Sequence, residues 1–129
     1  MKFISTRDTK VNVKGSQAIV KGLSNEGGLF VPDCFPSVTS EDINAFTTME
    51  YAERAAFIID KFVPEIGYES LLDSTTKAYA KFDGEPAPVV KLDENLFVME
   101  LWHGPTHAFK DIALTLLPYL MTSSKKLIG

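Results

Sequence analysis

Two consecutive stretches of the sequence carry apolar residues at helical spacing, and they constrain the fold more than any other feature. The first runs from about Glu50 to Phe62 and the second from about Tyr68 to Phe82, with Pro64 between them. Apolar positions recur every three or four residues, which places them on one face of an amphipathic helix. The two faces comprise Tyr51, Ala55, Ile58, Ile59 and Phe62, and then Leu71, Leu72, Thr75, Ala78, Tyr79 and Phe82. We expect two helices that pack against each other or against a small sheet.

Three short runs near the amino terminus predict strands. They occupy residues 3–5, 11–13 and 29–31, and each soon ends at charged residues, glycine or proline. Glu26-Gly27-Gly28 precedes the third run. It lacks the glycine spacing of a phosphate-binding loop, so we interpret it as a structural turn. Ser5-Thr6-Arg7 offers hydroxyls and a guanidinium, which suit either a bound anion or an ordinary cluster at the end of a strand.

Hydroxyl residues mark the expected beginnings of further helices. Ser16 is a candidate N-cap for a short helix over residues 17–23. Thr39 or Ser40 can cap a helix over residues 41–46, and acidic residues in its first turn favour this assignment. Thr47 or Thr48 is the candidate cap of the longer helix that follows.

The segment Asp83-Gly84-Glu85-Pro86-Ala87-Pro88 is the strongest internal boundary, because two prolines and a glycine cannot continue a helix. We therefore divide the chain into a small helical and stranded domain, residues 1–83, and the beginning of a second domain, residues 84–129. Residues 89–92 and 96–101 predict two strands joined by a turn. The fold class is α/β, with α+β character in this part of the chain.

The carboxy-terminal residues predict a third helix and then an interruption. The helix should cover residues 108–121, with a kink near Pro118. Residues 123–126 are polar and predict a break, after which residues 127–129 resemble the start of another element. We therefore expect the chain to be part of a longer protein.

The overall composition favours a soluble globular protein. Hydrophobic residues make up 45% of the 129 residues, and 13 basic against 17 acidic residues give a net charge of −4. That balance argues against a nucleic-acid surface, which needs clustered excess lysine and arginine. The longest apolar run is about half of the roughly 20 residues that cross a membrane. The single cysteine, Cys34, predicts a buried or inert thiol and fits the reducing cytoplasm.

The best candidates for a chemical function are residues Leu101–Asp111, which join a predicted strand to a predicted helix. Lys110 falls in or near the first helical turn, where the helix dipole disfavours a cation and favours the nucleophilic free amine. Its apolar neighbours Ala108 and Phe109 can desolvate the amine in the same direction. The commoner interpretation of such a lysine, judged on spacing alone, is a solvated surface residue.

Two histidines in this segment raise the question of a metal site. His103 and His107 are four residues apart, but Gly104-Pro105 between them excludes a regular helix, and no third ligand is adjacent. We therefore predict no metal. Capping or bracing of the loop by His103 or Thr106 is the commoner role.

Residues Glu100–Asp111, with the sequence E-L-W-H-G-P-T-H-A-F-K-D, closely resemble the lysine motif of the threonine synthase family, usually E-L-F-H-G-P-T-x-A-F-K-D. Further blocks agree in the same order: Ser5-Thr6-Arg7, Ala18-Ile19, Gly22-Leu23 and Gly27–Pro32. Asp8 and His107 depart from the family, which commonly has glycine and leucine there. These changes concern the local shape of loops and a pocket wall.

The resemblance implies a fold-type-II enzyme that uses pyridoxal 5'-phosphate to convert O-phospho-L-homoserine and water into L-threonine and phosphate. Lys110 matches the lysine that binds the cofactor covalently and then moves protons, which makes it the implied catalytic and cofactor-binding residue. Residues 84–129 would be the start of the cofactor-binding domain. The family's phosphate-binding loop and second domain lie beyond Gly129.

Residues 1–129 alone are therefore expected to be inactive, because one lysine cannot replace the missing cofactor contacts. Leu116, Leu117 and Leu120 would be exposed and would promote self-association. Two other functions remain open at this point: a non-catalytic folding or interaction module derived from this front end, and a small anion-binding domain.

Overall fold

A computed structural model describes residues 1–129 and contains both strands and helices. The strands are β1 (Lys2–Ser5), β2 (Asn12–Lys14), β3 (Phe30–Pro32), β4 (Val89–Asp93) and β5 (Leu96–Met99). The helices are α1 (Gly15–Lys21), α2 (Ser40–Phe46), α3 (Tyr51–Phe62), α4 (Tyr68–Tyr79), α5 (Asp111–Leu114) and α6 (Leu117–Ile128). A 3-10 turn, Pro64–Ile66, joins α3 to α4. The mixture confirms the expected α+β character.

The first three strands form one antiparallel sheet in the order β2-β1-β3. In the central strand, Ile4 lies opposite Asn12 on one side and Val31 on the other. Ser5, at the end of that strand, is completely buried. The three predicted strands are confirmed within one or two residues at each end.

Helix α1 begins earlier than the sequence predicts, and Ser16 does not cap it. Lys14 is the N-cap residue, and its backbone N–H donates to Gln17 Oε1 at 2.9 Å. Ser16 lies inside the first turn, where its backbone N–H donates to Glu65 Oε1 at 2.8 Å. A carboxylate distant in sequence satisfies this helix end, and no local pattern indicates it.

Of the N-caps predicted for the next two helices, one is confirmed and the other is wrong. Thr39 caps α2: the N–H of Asp42 donates to Thr39 Oγ1 at 3.1 Å. Thr47 and Thr48 do not cap α3, because their hydroxyls donate to carbonyls in the last turn of α2. At the start of α3, the N–H of Glu50 donates to Glu53 Oε2 at 2.8 Å instead.

Helices α3 and α4 pack against each other, as their periodicity predicts. Ala56 and Leu71 are fully buried where they meet, beside Val63. The Thr75 hydroxyl lies 2.9 Å from the Ala52 carbonyl oxygen, which links the two helices. The predicted face of α3 is displaced, since its most buried residue is the small Ala56 and Ile58 stays half-buried.

The predicted third helix is two helices, α5 and α6. Pro118 has no N–H to donate to the carbonyl four residues earlier, that of Leu114, and α5 ends at Leu114. Pro118 therefore lies in the first turn of α6 rather than at a kink near a helix end. The predicted break over residues 123–126 is wrong, because α6 continues through them to Ile128.

One part of the core joins the two predicted domains. Leu116 is buried against Ala78, Tyr79 and Phe82, so its expected exposure is wrong. The Tyr79 hydroxyl donates to the Ile112 carbonyl at 3.3 Å. The division after residue 83 remains a prediction, and these contacts cross it.

Two surface features bear on the other sequence predictions. No helix combines the length and apolar character needed to cross a membrane. Cys34 is exposed, so its predicted burial is wrong. The adjacent Asp33 carboxylate raises the pKa of the Cys34 thiol, which disfavours the reactive thiolate and agrees with an inert thiol.

Candidate functional site

The lysine-bearing motif forms a loop between β5 and α5 that is folded into two successive turns. The N–H of His107 donates to the Gly104 carbonyl at 3.0 Å, and the N–H of Asp111 donates to the Ala108 carbonyl at 3.0 Å. The backbone of Lys110 is held on its other side, because its carbonyl accepts the N–H of Leu114 at 2.8 Å. Lys110 therefore extends from a hydrogen-bonded stretch of backbone.

A buried carboxylate closes this loop. Asp111 is only 4% exposed, and it accepts the Thr106 N–H at 2.7 Å and the Thr106 hydroxyl at 2.6 Å. These hydrogen bonds, first from the hydroxyl and then from the amide, lower the pKa of Asp111. Gly104 lies against the same carboxylate, and a Cβ at that position would overlap it. A glycine is needed there because the backbone approaches the carboxylate so closely.

Both histidines brace the loop. His103 Nε2 lies 2.7 Å from Glu100 Oε2, and the indole of Trp102 stacks on the His103 ring. His107 has a φ of 57°, in the left-handed region, and its Nδ1 lies 3.1 Å from the Trp102 carbonyl oxygen. Bracing by His103 and Thr106 is thus confirmed. No three histidine, cysteine or acidic side chains lie close enough together to hold a metal ion.

Lys110 itself is exposed, and its amine takes part in none of the side-chain hydrogen bonds or ion pairs of the structure. The neighbouring Asp111 carboxylate is turned inward to Thr106 instead. The expected desolvation is wrong for these 129 residues, because Phe109 is 65% exposed. The expected helix field is also reduced, since α5 has only four residues. An unpaired primary amine on a fixed backbone can condense with a carbonyl group or bind an anion.

The amino-terminal cluster is structural. Arg7 Nη1 donates to the Glu26 carbonyl at 3.0 Å, and the Arg7 N–H donates to Ser5 Oγ at 3.2 Å. Gly28 lies so close to Ser5 that a Cβ would overlap the Ser5 hydroxyl. The Ser24 hydroxyl donates to Glu26 Oε2 at 2.7 Å, which contributes most to lowering the pKa of Glu26. These contacts confirm the structural turn at Glu26–Gly28, and they are those of an ordinary cluster at the end of a strand.

Sequence reasoning missed the role of Asp111. Its place in the motif is visible, but an aspartate at the start of a helix ordinarily suggests only a favourable charge in the first turn. The closure onto Thr106 depends on the two turns between them. A threonine and an aspartate five residues apart around a lysine are the only local signal.

Comparison with known proteins identifies this arrangement of sheet, helices and lysine-bearing loop. The family described as "Threonine synthase N terminus" matches residues 2–79. Threonine synthase from Schizosaccharomyces pombe is 37% identical over 89% of this chain and 23% of its own length. That from Pseudomonas aeruginosa is 35% identical over 94% of this chain and 26% of its own length.

Solved structures agree with these sequence matches. The crystal structure of pyridoxal-phosphate-bound threonine synthase from Brucella melitensis superposes with a TM-score of 0.90 and 36% identity. The match covers 98% of this chain and 28% of the Brucella chain. The architecture is that of the amino-terminal portion of a fold-type-II pyridoxal-phosphate enzyme. The chain belongs to the threonine synthase family, and it spans about a quarter of the length of these relatives.

Proposed function

We propose that these residues form the amino-terminal part of a cytoplasmic, biosynthetic lyase that converts O-phospho-L-homoserine and water into L-threonine and phosphate, with pyridoxal 5'-phosphate as cofactor. The family match and the cofactor-bound Brucella relative support this proposal. The single observation that carries it is Lys110, which stands within the H-G-P-T-x-A-F-K-D block and has a free amine on a braced loop.

The residues present fit covalent attachment of the cofactor. The Lys110 amine has no competing acidic partner, because Asp111 is engaged by Thr106. When bound, the cofactor supplies an electron-withdrawing ring that stabilises negative charge on the substrate carbon. Lys110 Nζ would hold the cofactor, yield it to the amine of the substrate, and then accept and return protons.

The full-length protein allows a direct test of this role. Borohydride reduction followed by peptide mass spectrometry should place the trapped cofactor on Lys110. Lys110→Ala should abolish phosphate release from O-phospho-L-homoserine. Lys125→Ala removes another exposed lysine, whose side chain has no ion pair, and should leave activity unchanged. An active Lys110→Ala enzyme would refute the assignment, and a folded protein that binds no cofactor would favour the non-catalytic interpretation.

We further propose that residues 84–129 begin the cofactor-binding domain and that residues 1–129 alone are inactive. Lys110 is the one cofactor contact assigned within them, and a single contact holds a ligand weakly. Residues 1–129 mixed with pyridoxal 5'-phosphate and passed through a desalting column should emerge without cofactor. Tight stoichiometric retention would contradict this proposal.

Self-association of residues 1–129 is also proposed, through a surface that differs from the predicted one. The exposed apolar side chains of the β4–β5 hairpin are Val89, Val90, Leu92, Leu96, Phe97 and Met99. Because so many exposed positions of this hairpin carry apolar side chains, it favours association between copies of the chain. Sedimentation should show oligomers whose fraction rises with concentration, and Phe97→Lys should reduce it. A monomer at all concentrations would contradict the proposal.

A further inference from the structure

We propose that Asp111 is a positioning residue for Lys110: its carboxylate, closed onto Thr106, fixes the loop and thereby the direction from which the lysine amine reaches the cofactor. This inference rests on the proposed function. It assigns Asp111 no contact with substrate or cofactor.

The first observation is the geometry of the carboxylate. Asp111 is 4% exposed and contacts Thr106 through both of its oxygens, one accepting the backbone N–H and the other the hydroxyl. A buried carboxylate is costly unless its oxygens are hydrogen-bonded. The two hydrogen bonds between Thr106 and Asp111 therefore close the loop, and both residues are needed for them.

The second observation is how little room the closure leaves. A Cβ on Gly104 would overlap the Asp111 carboxylate, so the loop backbone passes directly over it. On the helix side, the Thr115 hydroxyl donates to the Asp111 carbonyl at 2.6 Å. Asp111 is consequently held through its side chain and its backbone at once.

The third observation is the position of Lys110 relative to this closure. Lys110 directly precedes Asp111 and lies within the loop that the Asp111–Thr106 contact closes. A rotation of the Asp111 side chain away from Thr106 would release the turn at Gly104–His107 from the turn that contains Lys110. A displacement of about 1 Å at a reacting group lowers a rate by roughly 100-fold.

The alternative role for Asp111 is a direct charge partner of Lys110. The structure disfavours it, because both carboxylate oxygens point to Thr106 and the lysine amine belongs to no ion pair. A purely structural role is the remaining alternative. It would lower stability without changing the rate per folded, cofactor-loaded molecule, so the two roles can be separated.

The test uses the full-length protein with Asp111→Asn, Thr106→Val and Thr106→Ser. In the wild type the two donors of Thr106 go to two different carboxylate oxygens. Asparagine replaces one of these oxygens by an amide NH2, which is a donor, and it removes the charge, so the closure is weakened. Valine removes the hydroxyl at nearly constant shape, and serine restores it. Asp73→Asn is the matched control, since it removes an exposed carboxylate whose partner is Lys77 on the surface of α4.

We expect Asp111→Asn and Thr106→Val to lower kcat by roughly 10- to 100-fold with KM changed less than threefold, per cofactor-loaded molecule. Thr106→Ser should recover most of kcat, and the double variant should be no slower than the slower single variant. Hydrogen exchange at the Thr106 amide should quicken in Asp111→Asn. Asp73→Asn should match the wild type in every respect.

Unchanged kcat in both Asp111→Asn and Thr106→Val would overturn the inference, even if their thermal stability fell. If Asp111→Asn does not fold, Thr106→Val and its serine rescue decide the outcome alone. Borohydride trapping in the wild type distinguishes failure of the positioning role of Asp111 from failure of the proposed cofactor-binding role of Lys110. If the cofactor is trapped on Lys110 and the variants keep the wild-type kcat, only the positioning role is refuted. If the cofactor is trapped on another residue, the proposed function is refuted, and this inference with it.

Discussion

Replacing Ser124 by alanine should stabilise the chain, although Ser124 is completely buried. Ser124 lies in α6, which packs against α1, and its Oγ is the one buried side-chain nitrogen or oxygen without a hydrogen-bond partner. A buried hydroxyl left unsatisfied costs about 1–3 kcal/mol of desolvation. Alanine also has the higher helix propensity, by about 0.5 kcal/mol. Removing one oxygen loses some packing, so we expect a net gain of about 1–2 kcal/mol.

The assay is urea unfolding of residues 1–129, followed by circular dichroism. With a denaturant slope of about 1–3 kcal/mol per molar urea, the midpoint should rise by roughly 0.3–2 M. Ser74→Ala is the matched control: Ser74 is also buried in a helix, but its hydroxyl donates to the Ser70 carbonyl at 2.7 Å. Its lost hydrogen bond offsets the gain in helix propensity, so the midpoint should stay level or fall. A lower midpoint for Ser124→Ala than for the wild type would refute the reasoning.

Two further stability predictions follow from the core. Leu71→Ala should lower the free energy of unfolding by about 2–5 kcal/mol in the same urea assay, because Leu71 is fully buried between α3 and α4; a loss below about 1 kcal/mol would contradict this packing. Burial raises the pKa of Tyr79 to about 12, above the value near 10 of an unfolded tyrosine. The stability that this shift contributes is present below about pH 10 and is lost as the pH rises towards 12. Tyr79→Phe should therefore flatten the alkaline loss of stability, and an unchanged pH dependence would count against the burial argument.

The parts of the fold that the sequence predicts well are those governed by local periodicity. Helices α3 and α4 follow from apolar residues at helical spacing, and Thr39 caps α2 because its hydroxyl reaches a donor three residues away. The position of Ala56 at the centre of the packed face could not be predicted in this way. Close approach of α4 selects a small residue there, and periodicity does not report distance between helices.

The errors at the carboxy-terminal end have a different cause. Polar residues 123–126 suggest an interruption, but the helix continues because Ser124 lies buried while Lys125 and Lys126 face solvent in its last turn. Cations near a helix carboxyl terminus are favourable. Charge alone was therefore a poor signal for a break. In the candidate site, the lysine motif was visible in the sequence, whereas the Asp111–Thr106 closure required the three-dimensional turns.

The environment of the Lys110 amine differs from the one that the sequence suggests. Within residues 1–129 the amine is exposed, Phe109 is 65% exposed beside it, and the four residues of α5 provide a short dipole. Under the proposed function, these residues would determine the backbone from which the amine extends, and its desolvation would have to come from the rest of the full-length enzyme. We expect pyridoxal 5'-phosphate and borohydride to label residues 1–129 at Lys110 no more than at the exposed Lys125.

In the full-length protein, the same treatment should label Lys110 selectively, because the proposed cofactor-binding domain would hold the cofactor beside that amine alone. Peptide mass spectrometry of both samples, labelled with substoichiometric cofactor, measures the ratio of Lys110 to Lys125 label directly. We expect this ratio to be near one for residues 1–129 and large for the full chain. That result would support desolvation of the Lys110 amine by the remaining polypeptide. Strong preference for Lys110 in residues 1–129 would show instead that the loop closed by Asp111 and Thr106 activates the amine by itself.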